Sequence, residues 1–291
     1  MRTTVKHVFA IDIGGTKLAA GIVAADGTLL ERASTPTPRG TDPEVLWRSL
    51  AALIDLLPAR DCVAVGVGTG GPMTRGGLLV SPLNIPAWRG FPLRDRITAH
   101  TGLSTWVDND AKALALGEGW VGAATGIRDY IAMVVSTGVG GGIVLDGRLL
   151  DGAAGNAGHV GHIVVVPSGR LCACGAQGCL EAEASGTAIA TITGRPPAEA
   201  DSETVIRTGE LVGRAIAATA NLLDLRLAVV SGSVALGFAT PFFDAAQAAI
   251  DRLCRIDYAR GMRIVPGALG DAGPLIGAAR VAWQHLPDGS A

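Results

Sequence analysis

Residues 8–17 read VFAIDIGGTK, and residues 131–142 read IAMVVSTGVGGG. In each stretch an apolar, strand-like run ends in a glycine-rich loop. Each loop leads into a hairpin pattern with an Asp-Gly turn, GIVAADGTLL at residues 21–30 and GIVLDGRLL at residues 142–150. Asp-Gly between two apolar runs is a strong hairpin signal. Two copies of this pattern in one chain predict two related domains that face one another.

The order of the remaining elements indicates the fold class. Helices are expected after each copy of the hairpin, at Pro43–Leu57 and Thr204–Leu223. Apolar strands that alternate with helices predict an α/β architecture with largely buried sheets. We expect a smaller N-terminal α/β domain over residues 1–115, joined by a C-terminal helix at about residues 273–291. A larger α/β domain with the candidate zinc site described below would occupy residues 116–272.

The composition argues against several classes of partner. The chain of 291 residues is 48% hydrophobic and 17% charged, with a formal net charge of −2. Nucleic-acid binding would need a basic patch, so we expect no nucleic-acid partner. We expect no membrane association, because no apolar stretch could span a bilayer and the N-terminus lacks the apolar core of a signal peptide. The cysteines are clustered as they are in metal sites, which fits a reducing compartment. We therefore expect a cytoplasmic location.

Three of the five cysteines lie close together in the chain. Cys172, Cys174 and Cys179 form a C-x-C-x4-C cluster, and His162 precedes it. Three thiolates and one imidazole are the ligand set of a closed structural Zn²⁺ site. The alternative is three buried or free thiols. The zinc interpretation predicts a metal that braces the protein and takes no part in the chemistry, because a closed site has no open coordination position.

The two glycine-rich loops are candidates for binding phosphate. The first contains a carboxylate, two glycines, a hydroxyl and an ammonium, in the order Asp12, Gly14, Gly15, Thr16 and Lys17. Glycines let backbone N–H groups approach phosphate oxygens, and Asp12 is placed to hold a hydrated Mg²⁺. Residues 136–142 offer the same loop chemistry again. Either loop alone could be a structural turn, but two copies favour a nucleotide held from both sides. Neither loop matches a P-loop or a dinucleotide fingerprint.

The candidate catalytic base is Asp110, within WVDNDAKAL at residues 106–114. A short strand is expected to end here and a helix to begin, so Asn109 and Asp110 would stand at the helix N-terminus. The helix dipole favours an ionised carboxylate at that position. Such a carboxylate can accept the proton of a substrate hydroxyl as the hydroxyl attacks a γ-phosphate. The alternative is plain helix capping, for which Asp and Asn are favoured.

These motifs together resemble the ROK family of sugar kinases and related repressors. The resemblance rests on DIGGTK at residues 12–17, NDA at 109–111, the glycine pattern of residues 135–162, and CxCGxxGCxE at 172–181. It covers nearly the whole chain. It implies the actin-like ATPase fold, a ribonuclease H-like duplicated α/β fold of the hexokinase type, with ATP and sugar in a cleft between two domains.

The resemblance also implies roles for individual residues. Asp110 would be the general base toward the 6-hydroxyl of the sugar, with ATP as the phosphate donor. The sugar would contact Gly71, Asn84, Asn109, Asp110, His159, His162 and Glu181. The nucleotide would be held by the first loop and by Thr137, Gly138 and Gly232. His162 would also ligate the zinc, which would order the sugar-binding loop. Kinases of the family are usually dimers, so a homodimer is expected.

Two positions depart from the common pattern of the family. Most of its glucokinases carry A-G-E-x-G-H, whereas residues 157–162 of this chain read AGHVGH, so His159 replaces a sugar-binding carboxylate. A neutral imidazole offers one donor and one acceptor, so the sugar that fits should change. Bacterial N-acetylmannosamine kinases of the family similarly show AGHxGH. A His159 without sugar contact is the alternative. Lys112 stands where many members have Asn, and we expect a solvated lysine on the helix face.

The main hypothesis is an ATP-dependent kinase that phosphorylates the 6-hydroxyl of a glucose-type hexose. The alternative is an N-acetylmannosamine kinase, and the donor could be another nucleoside triphosphate or polyphosphate. A repressor of the family would carry a DNA-binding segment before the first glycine-rich loop, and we expect none because Asp12 stands so early. A sugar-binding protein without activity is hard to reconcile with Asp12, Asp110 and both loops together.

Overall fold

The computed structural model describes residues 6–58 and 61–286 of the chain. The chain folds into two compact units, each with its own sheet. Unit 1 comprises Met1–Val121, Asp151–Ala157 and Leu269–Ala291, and unit 2 comprises Gly122–Leu150 and Gly158–Ala268. The predicted domain boundaries near residues 115 and 272 stay predictions. The outer ends of the predicted N-terminal domain and C-terminal helix, residues 1–5 and 287–291, lie outside the described residues.

The two sheets have the same topology. The strands of the described residues are β1 (His7–Ile13), β2 (Lys17–Ala24), β3 (Leu29–Pro36), β4 (Cys62–Thr69), β5 (Thr105–Asn109), β6 (Tyr130–Val135), β7 (Val139–Leu145), β8 (Arg148–Leu149), β9 (Leu227–Ser231) and β10 (Arg263–Pro266). Unit 1 has the order β3-β2-β1-β4-β5, with an antiparallel β1-β2-β3 meander and parallel β1, β4 and β5. Unit 2 has the order β8-β7-β6-β9-β10 with the same directions. The predicted α/β duplication is confirmed.

Helices cover the sheets. Those of the described residues are α1 (Pro43–Asp55), α2 (Leu93–Thr101), α3 (Asp110–Val121), α4 (Leu180–Ala184), α5 (Gly186–Thr193), α6 (Ser202–Leu223), α7 (Ser233–Leu253) and α8 (Gly273–Trp283). Short 3₁₀ turns lie at Arg75–Gly77, Val160–His162, Pro197–Glu199, Asp257–Ala259 and Gly270–Ala272. Both helices predicted after the hairpins are present as α1 and α6. Helix α6 begins two residues before its predicted start because Asp201 caps it, accepting a hydrogen bond of 2.9 Å from the N–H of Thr204.

The start of α1 shows how local sequence forms these elements. Asp42 accepts a hydrogen bond of 2.8 Å from the N–H of Glu44, and Pro43 occupies the first turn, where its missing N–H costs nothing. Leu46, Leu50 and other apolar residues at helical spacing then lie buried on one face. The helix therefore packs its apolar side into the core of unit 1.

Close packing of α8 against β4 depends on a glycine. A Cβ on Gly66 of β4 would lie 1.9 Å from the carbonyl oxygen of Ala278 in α8, which no side chain could tolerate. The same helix packs along α3, where a Cβ on Gly277 would lie 2.4 Å from the carbonyl oxygen of Ala113. The C-terminal helix is thus built into unit 1, and it supports the strands and the helix that carry the acidic residues described below.

The predicted turn of the second hairpin is also present. Asp146 and Gly147 both have positive φ, 50° and 73°, as a two-residue turn between β7 and β8 requires. Within residues 6–58 and 61–286, none of the helices combines the length and apolar character needed to cross a membrane.

Candidate active site

Asp12 and Asp110 lie on either side of Gly68 in unit 1. Asp12 is on β1, and Asp110 begins α3 directly after β5. Strand β4 lies between β1 and β5, and these three parallel strands end at the same edge of the sheet. A Cβ on Gly68 would lie 3.5 Å from the Cα of Asp110 and 3.8 Å from Oδ1 of Asp12. Strand order therefore brings together two acidic residues that are far apart in the chain.

The electrostatics of this edge favour a cation. Burial raises the pKa of Asp12 to about 7, and the negative charge of Asp110 adds to that rise, whereas Lys17 lowers it. A buried carboxylate beside another carboxylate is costly to ionise, and a divalent cation offsets that cost. Asp12 thus fits the predicted role of holding a hydrated Mg²⁺.

Asn109 and Asp110 also cap α3. Oδ1 of Asn109 accepts hydrogen bonds from the N–H groups of Ala111 (3.0 Å) and Lys112 (3.3 Å). Oδ1 of Asp110 accepts one from the N–H of Ala111 at 2.8 Å. Capping uses one oxygen of each side chain. Helix capping, the alternative interpretation of these residues, is thus present, and their roles in catalysis and sugar binding stay predictions.

The first glycine-rich loop packs against the segment that carries Asn84. A Cβ on Gly15 would lie 3.0–3.1 Å from main-chain and side-chain atoms of Asn84, which is tighter than most Cβ contacts, so glycine suits this close approach. The hydroxyl of Thr37 donates to the carbonyl oxygen of Gly14 at 2.6 Å and fixes the turn. Thr16 and Lys17 are exposed at the tip of the loop. The loop therefore packs against the protein at Gly14 and Gly15, and it is exposed to solvent at Thr16 and Lys17.

A cavity of about 210 Å³ lies beside this loop in unit 1. Its lining includes Gly15, Thr37, Arg39 and Asn84. The carbonyl oxygen of Gly71 accepts a hydrogen bond of 3.0 Å from the N–H of Leu83, next to Asn84. Gly15, Gly71 and Asn84 are therefore brought together, and their predicted roles stay predictions. Arg39 and Thr37 were missed, because the Pro-rich segment that carries them reads as an ordinary surface loop.

Lys112 is buried, so the prediction of a solvated lysine is wrong. Its side chain is 2% exposed, and its Nζ lies 3.0 Å from Oδ1 of Asp108 and 2.8 Å from Oδ1 of Asp151. Nζ also donates to the carbonyl oxygen of Gly155 at 3.1 Å. Asp108 lies on β5 and Lys112 on α3, so their pairing depends on the turn from strand to helix and not on helical spacing. The partners at positions 151 and 155 carry no local signal either, because only tertiary structure brings them to α3.

The second glycine-rich loop, in unit 2, is tied to α4 and α5. Oε2 of Glu181 accepts a hydrogen bond of 2.9 Å from the N–H of Val139, directly after Gly138. The hydroxyl of Thr187 donates to the carbonyl oxygen of Thr137 at 2.9 Å. Glu181, predicted to contact sugar, thus holds the second glycine-rich loop. Its sugar contact stays a prediction.

A cavity of about 1040 Å³ lies beside the same loop within unit 2. Its polar lining includes Ser136, Thr137, Thr187 and Ser233, and Val234 and Phe238 contribute apolar surface. The hydroxyl oxygens of Ser136 and Ser233 are 2.9 Å apart. Gly232 has a φ of 102°, and a Cβ there would lie 2.4 Å from the carbonyl oxygen of Val135. The size and mixed lining suit a cofactor such as a nucleotide. Sequence reasoning missed Thr187 and Ser233, because isolated hydroxyl residues carry no local signal.

The four predicted metal ligands come together in unit 2. The candidate ligand atoms of His162, Cys172, Cys174 and Cys179 all lie within 4.8 Å of one another. Sγ of Cys172 is 3.7 Å from Nδ1 of His162, and Sγ of Cys174 is 3.7 Å from Sγ of Cys179. One imidazole and three thiols at these separations fit a tetrahedral Zn²⁺.

The loop that carries the cysteines is shaped around this cluster. The N–H of Gly175 donates to the carbonyl oxygen of Cys172 at 2.9 Å, and the N–H of Cys172 bonds the carbonyl oxygen of Ala176 at 2.8 Å. Gly178 has a φ of 76°, and a Cβ there would lie 1.7 Å from the carbonyl oxygen of Val166. Tight turns at glycines therefore bring sulfurs from a short segment to one point.

His159 lies close to this cluster. It immediately precedes the 3₁₀ turn that contains His162, and the two imidazole rings are stacked with their centroids 6.1 Å apart. His159 is exposed, whereas His162 is half-buried. Any metal held by His162 would therefore order the backbone on which His159 stands.

The chain belongs to the ROK family, whose model matches residues 8–285. An N-acetylmannosamine kinase of Escherichia fergusonii is 40% identical over 243 residues, which cover 78% of this chain and 83% of the relative.

Two solved structures extend the comparison. A ROK hexokinase of Thermus thermophilus matches 97% of this chain and 100% of its own, with a TM-score of 0.83 and 33% identity. A ROK family glucokinase of Streptomyces griseus, solved in complex with glucose and AMPPNP, matches 96% of this chain and 99% of its own, with a TM-score of 0.83 and 31% identity. The duplicated sheets are those of the actin-like ATPase fold, as the sequence predicted.

Proposed function

We propose that this protein is an ATP-dependent sugar kinase with Asp110 as its general base. The sugar 6-hydroxyl oxygen attacks the γ-phosphorus of ATP, its proton passes to Asp110, and the bond to the bridging oxygen of ADP breaks. The observation that carries the proposal is the pairing of Asp110, at the N-terminus of α3, with the half-buried Asp12 across Gly68. The helix N-terminus favours the ionised form of Asp110 that a base requires.

Nucleotide binding would use both glycine-rich loops. Gly14, Gly15, Thr16 and Lys17 would serve the phosphates from unit 1 and Thr137 and Gly138 from unit 2, with Gly232 near the adenosine. The cavity of about 1040 Å³ in unit 2 supports this assignment, because Thr137 lines it and Gly232 stands directly before its lining residue Ser233. Asp12 would hold a hydrated Mg²⁺, which would neutralise charge on the phosphates.

The sugar that we propose is N-acetylmannosamine or a related 2-acetamido hexose. Support comes from the relative of Escherichia fergusonii, which is named an N-acetylmannosamine kinase and is 40% identical. The second support is His159, whose imidazole can donate one hydrogen bond and accept one, as an acetamido group needs. Contacts are assigned to Gly71, Asn84, Asn109, His159, His162 and Glu181. For Asn109 the amide NH₂ would donate, because its oxygen caps α3.

Glucose is the second candidate for the sugar. It is favoured by the similarity to the glucokinase of Streptomyces griseus, whose structure contains glucose. The two candidates differ at carbon 2, where one carries a hydroxyl and the other an acetamido group. A turnover measurement on both sugars therefore separates them.

Zinc at His162, Cys172, Cys174 and Cys179 would have a structural role. The cluster uses four protein donors, which leaves no position for a reacting group. The metal would hold the 3₁₀ turn of His162 and, through the chain, His159. The homodimer stays a prediction.

The test is ADP release with Mg-ATP against glucose, mannose, fructose, N-acetylglucosamine and N-acetylmannosamine. We expect the largest kcat/KM with N-acetylmannosamine, and a loss of about 10²–10⁴-fold in kcat for Asp110→Asn. Asp95→Asn is the matched control, because Asp95 lies in the first turn of α2 in the same unit, away from Asp12. No turnover on any sugar, or an active Asp110→Asn variant, would contradict the proposal.

A further inference from the structure

Residues 151–157, which we call the strap, form a short segment that packs with a different unit from the chain on either side of it. On either side of it the chain belongs to unit 2, yet the strap itself belongs to unit 1. It contains no helix or strand, and residues 151–154 are exposed. The hydrogen bond of 2.9 Å from the N–H of Ala157 to the carbonyl oxygen of Asp151 closes it into a loop. Such a segment has little apolar surface to bury, so its position depends on specific polar contacts.

Those polar contacts come from two residues of unit 1. The ammonium of Lys112 contacts Oδ1 of Asp151 (2.8 Å) and the carbonyl oxygen of Gly155 (3.1 Å). At the other end, the amide of Asn156 accepts from the N–H of Met73 (3.4 Å) and donates to its carbonyl oxygen (3.3 Å). The contacts of Lys112 are shorter, and one of them is an ion pair. Lys112 is therefore the principal anchor of the strap.

The burial of Lys112 makes this anchor specific. An ammonium has three N–H donors, and burying it is costly unless all are paired. The acceptors are Oδ1 of Asp108 at 3.0 Å, Oδ1 of Asp151 and the carbonyl oxygen of Gly155, one for each donor. Two of the three belong to the strap. The side chain of Lys112 is only 2% exposed, so its ammonium depends on these three acceptors in the folded protein.

Lys112 is close in the chain to the proposed base. It is two positions after Asp110 in the first turn of α3, and its other partner, Asp108, accepts a hydrogen bond of 2.7 Å from the N–H of Asn109. At the far end of the strap the chain continues from Ala157 through Gly158 to His159. One side chain thus connects the start of the catalytic helix to the segment from which His159 extends.

We propose that Lys112 is a positioning residue for sugar recognition, acting through its clamp on Asp151 and Gly155. The clamp sets where the strap lies relative to Asn109 and Asp110 within unit 1, and the strap ends two positions before His159. The inference rests on the proposed function, since it assigns His159 to the sugar. It does not give Lys112 a contact with the reacting atoms.

The primary test is Asp151→Ala. This variant removes the half-exposed partner, which is 54% exposed, and leaves the buried pair of Lys112 and Asp108 intact, so the fold should persist. We expect KM for N-acetylmannosamine to rise about fivefold to tenfold, with kcat and KM for ATP within about twofold, as for the loss of one partly exposed charged hydrogen bond. Glu44→Gln is the matched control, because it removes one charge from the Arg96 pair elsewhere in unit 1. A Lys112→Met variant should raise KM for the sugar further.

Hydrogen exchange of residues 151–157 in the protein without ligands tests the clamp independently of activity. We expect faster exchange in Asp151→Ala and no change in Glu44→Gln. Unchanged exchange would overturn the clamp. Faster exchange with an unchanged KM for the sugar would overturn the positioning role and leave a purely structural one. If the unaltered protein phosphorylates no sugar, the proposed function fails and the positioning role fails with it, while the exchange rates still decide whether the clamp exists.

Discussion

Unit 1 and unit 2 share one strand order but differ in the chemistry at the ends of corresponding strands. In unit 1, β1 carries Asp12, and β5 is followed directly by Asp110. In unit 2, the corresponding β6 is followed by Ser136 and Thr137, and β10 is followed by Gly267. In unit 1 the carboxylates come from the ends of the strands themselves, whereas β6 of unit 2 leads into hydroxyl residues, and the carboxylate of Glu181 reaches that loop from α4.

The two units also differ between their meander and the helix that follows it. In unit 1 only residues 37–42 separate β3 from α1. The corresponding interval between β8 and α6 runs from residue 150 to 201 and includes the strap, which belongs to unit 1, and the candidate metal cluster of unit 2. Strand order depends on buried apolar residues, and both units keep these. Strand ends and connections face outward and can change without cost to the core. We infer that duplication preserved the framework and that the two copies then took different tasks.

The largest expected effect concerns the metal cluster of unit 2. Cys179→Ser should lower zinc affinity by at least about 100-fold, because it removes a thiolate ligand. We expect about one zinc per chain in the unaltered protein after dialysis against a weak chelator, and little in the variant, with a lower Tm.

The matched control is Cys254→Ser, since Cys254 is also buried in unit 2 but lies outside the cluster. It should keep its zinc. Full zinc content in Cys179→Ser, or equal loss in both variants, would contradict the assignment.

The second prediction concerns the acidic edge of unit 1. Asp12 has a pKa raised to about 7 by its burial and by the charge of Asp110, so below that pH a proton competes with a cation for the carboxylate. Binding of Mn²⁺, followed by electron paramagnetic resonance without nucleotide, should tighten about tenfold from pH 6 to pH 8. Asp12→Asn should bind weakly at both values.

The raised pKa of Asp12 also predicts how the stability of the fold changes with pH. The folded state holds the proton of Asp12 more tightly than the unfolded chain, whose carboxyl has a pKa of 3.8. Stability from this group therefore falls as pH rises from that value through about 7. Asp12→Asn should raise Tm more at pH 8 than at pH 5, measured against Asp95→Asn. A larger rise in Tm at pH 5 than at pH 8 would show that ionisation of Asp12 does not destabilise the folded state.

The smallest expected effect concerns the hydroxyls of unit 2. Thr187→Val removes the hydrogen bond to the carbonyl oxygen of Thr137, and KM for ATP should rise about fivefold, with kcat and KM for the sugar unchanged. Thr219→Val is the control, since its hydroxyl bonds the carbonyl oxygen of Ala215 within α6. A fall in kcat with KM for ATP unchanged would indicate that Thr187 acts in the chemical step. It would then argue against different roles for the two units.

Sequence by itself determined the repeated units, the hairpin turns, the glycine-rich loops and the cluster of four candidate metal ligands. These features depend on neighbours a few positions apart, where periodicity and turn chemistry act directly. The strand–loop–hairpin pattern at residues 8–30 and 131–150 predicted both antiparallel meanders. The family motifs likewise identified Asp110, which the structure places at the helix N-terminus as expected.

Only the tertiary structure decided which distant groups share an environment. Lys112 reads as an exposed helical lysine, yet it is buried because residues 151–155 fold over it. Thr187 and Ser233 are hydrogen-bonded to the loop at residues 136–137, which is about 50 and 100 positions away from them in the chain. Asp12 acquired its raised pKa from burial beside Asp110. Burial and pairing over such separations follow from how the whole chain packs, and no local pattern encodes them.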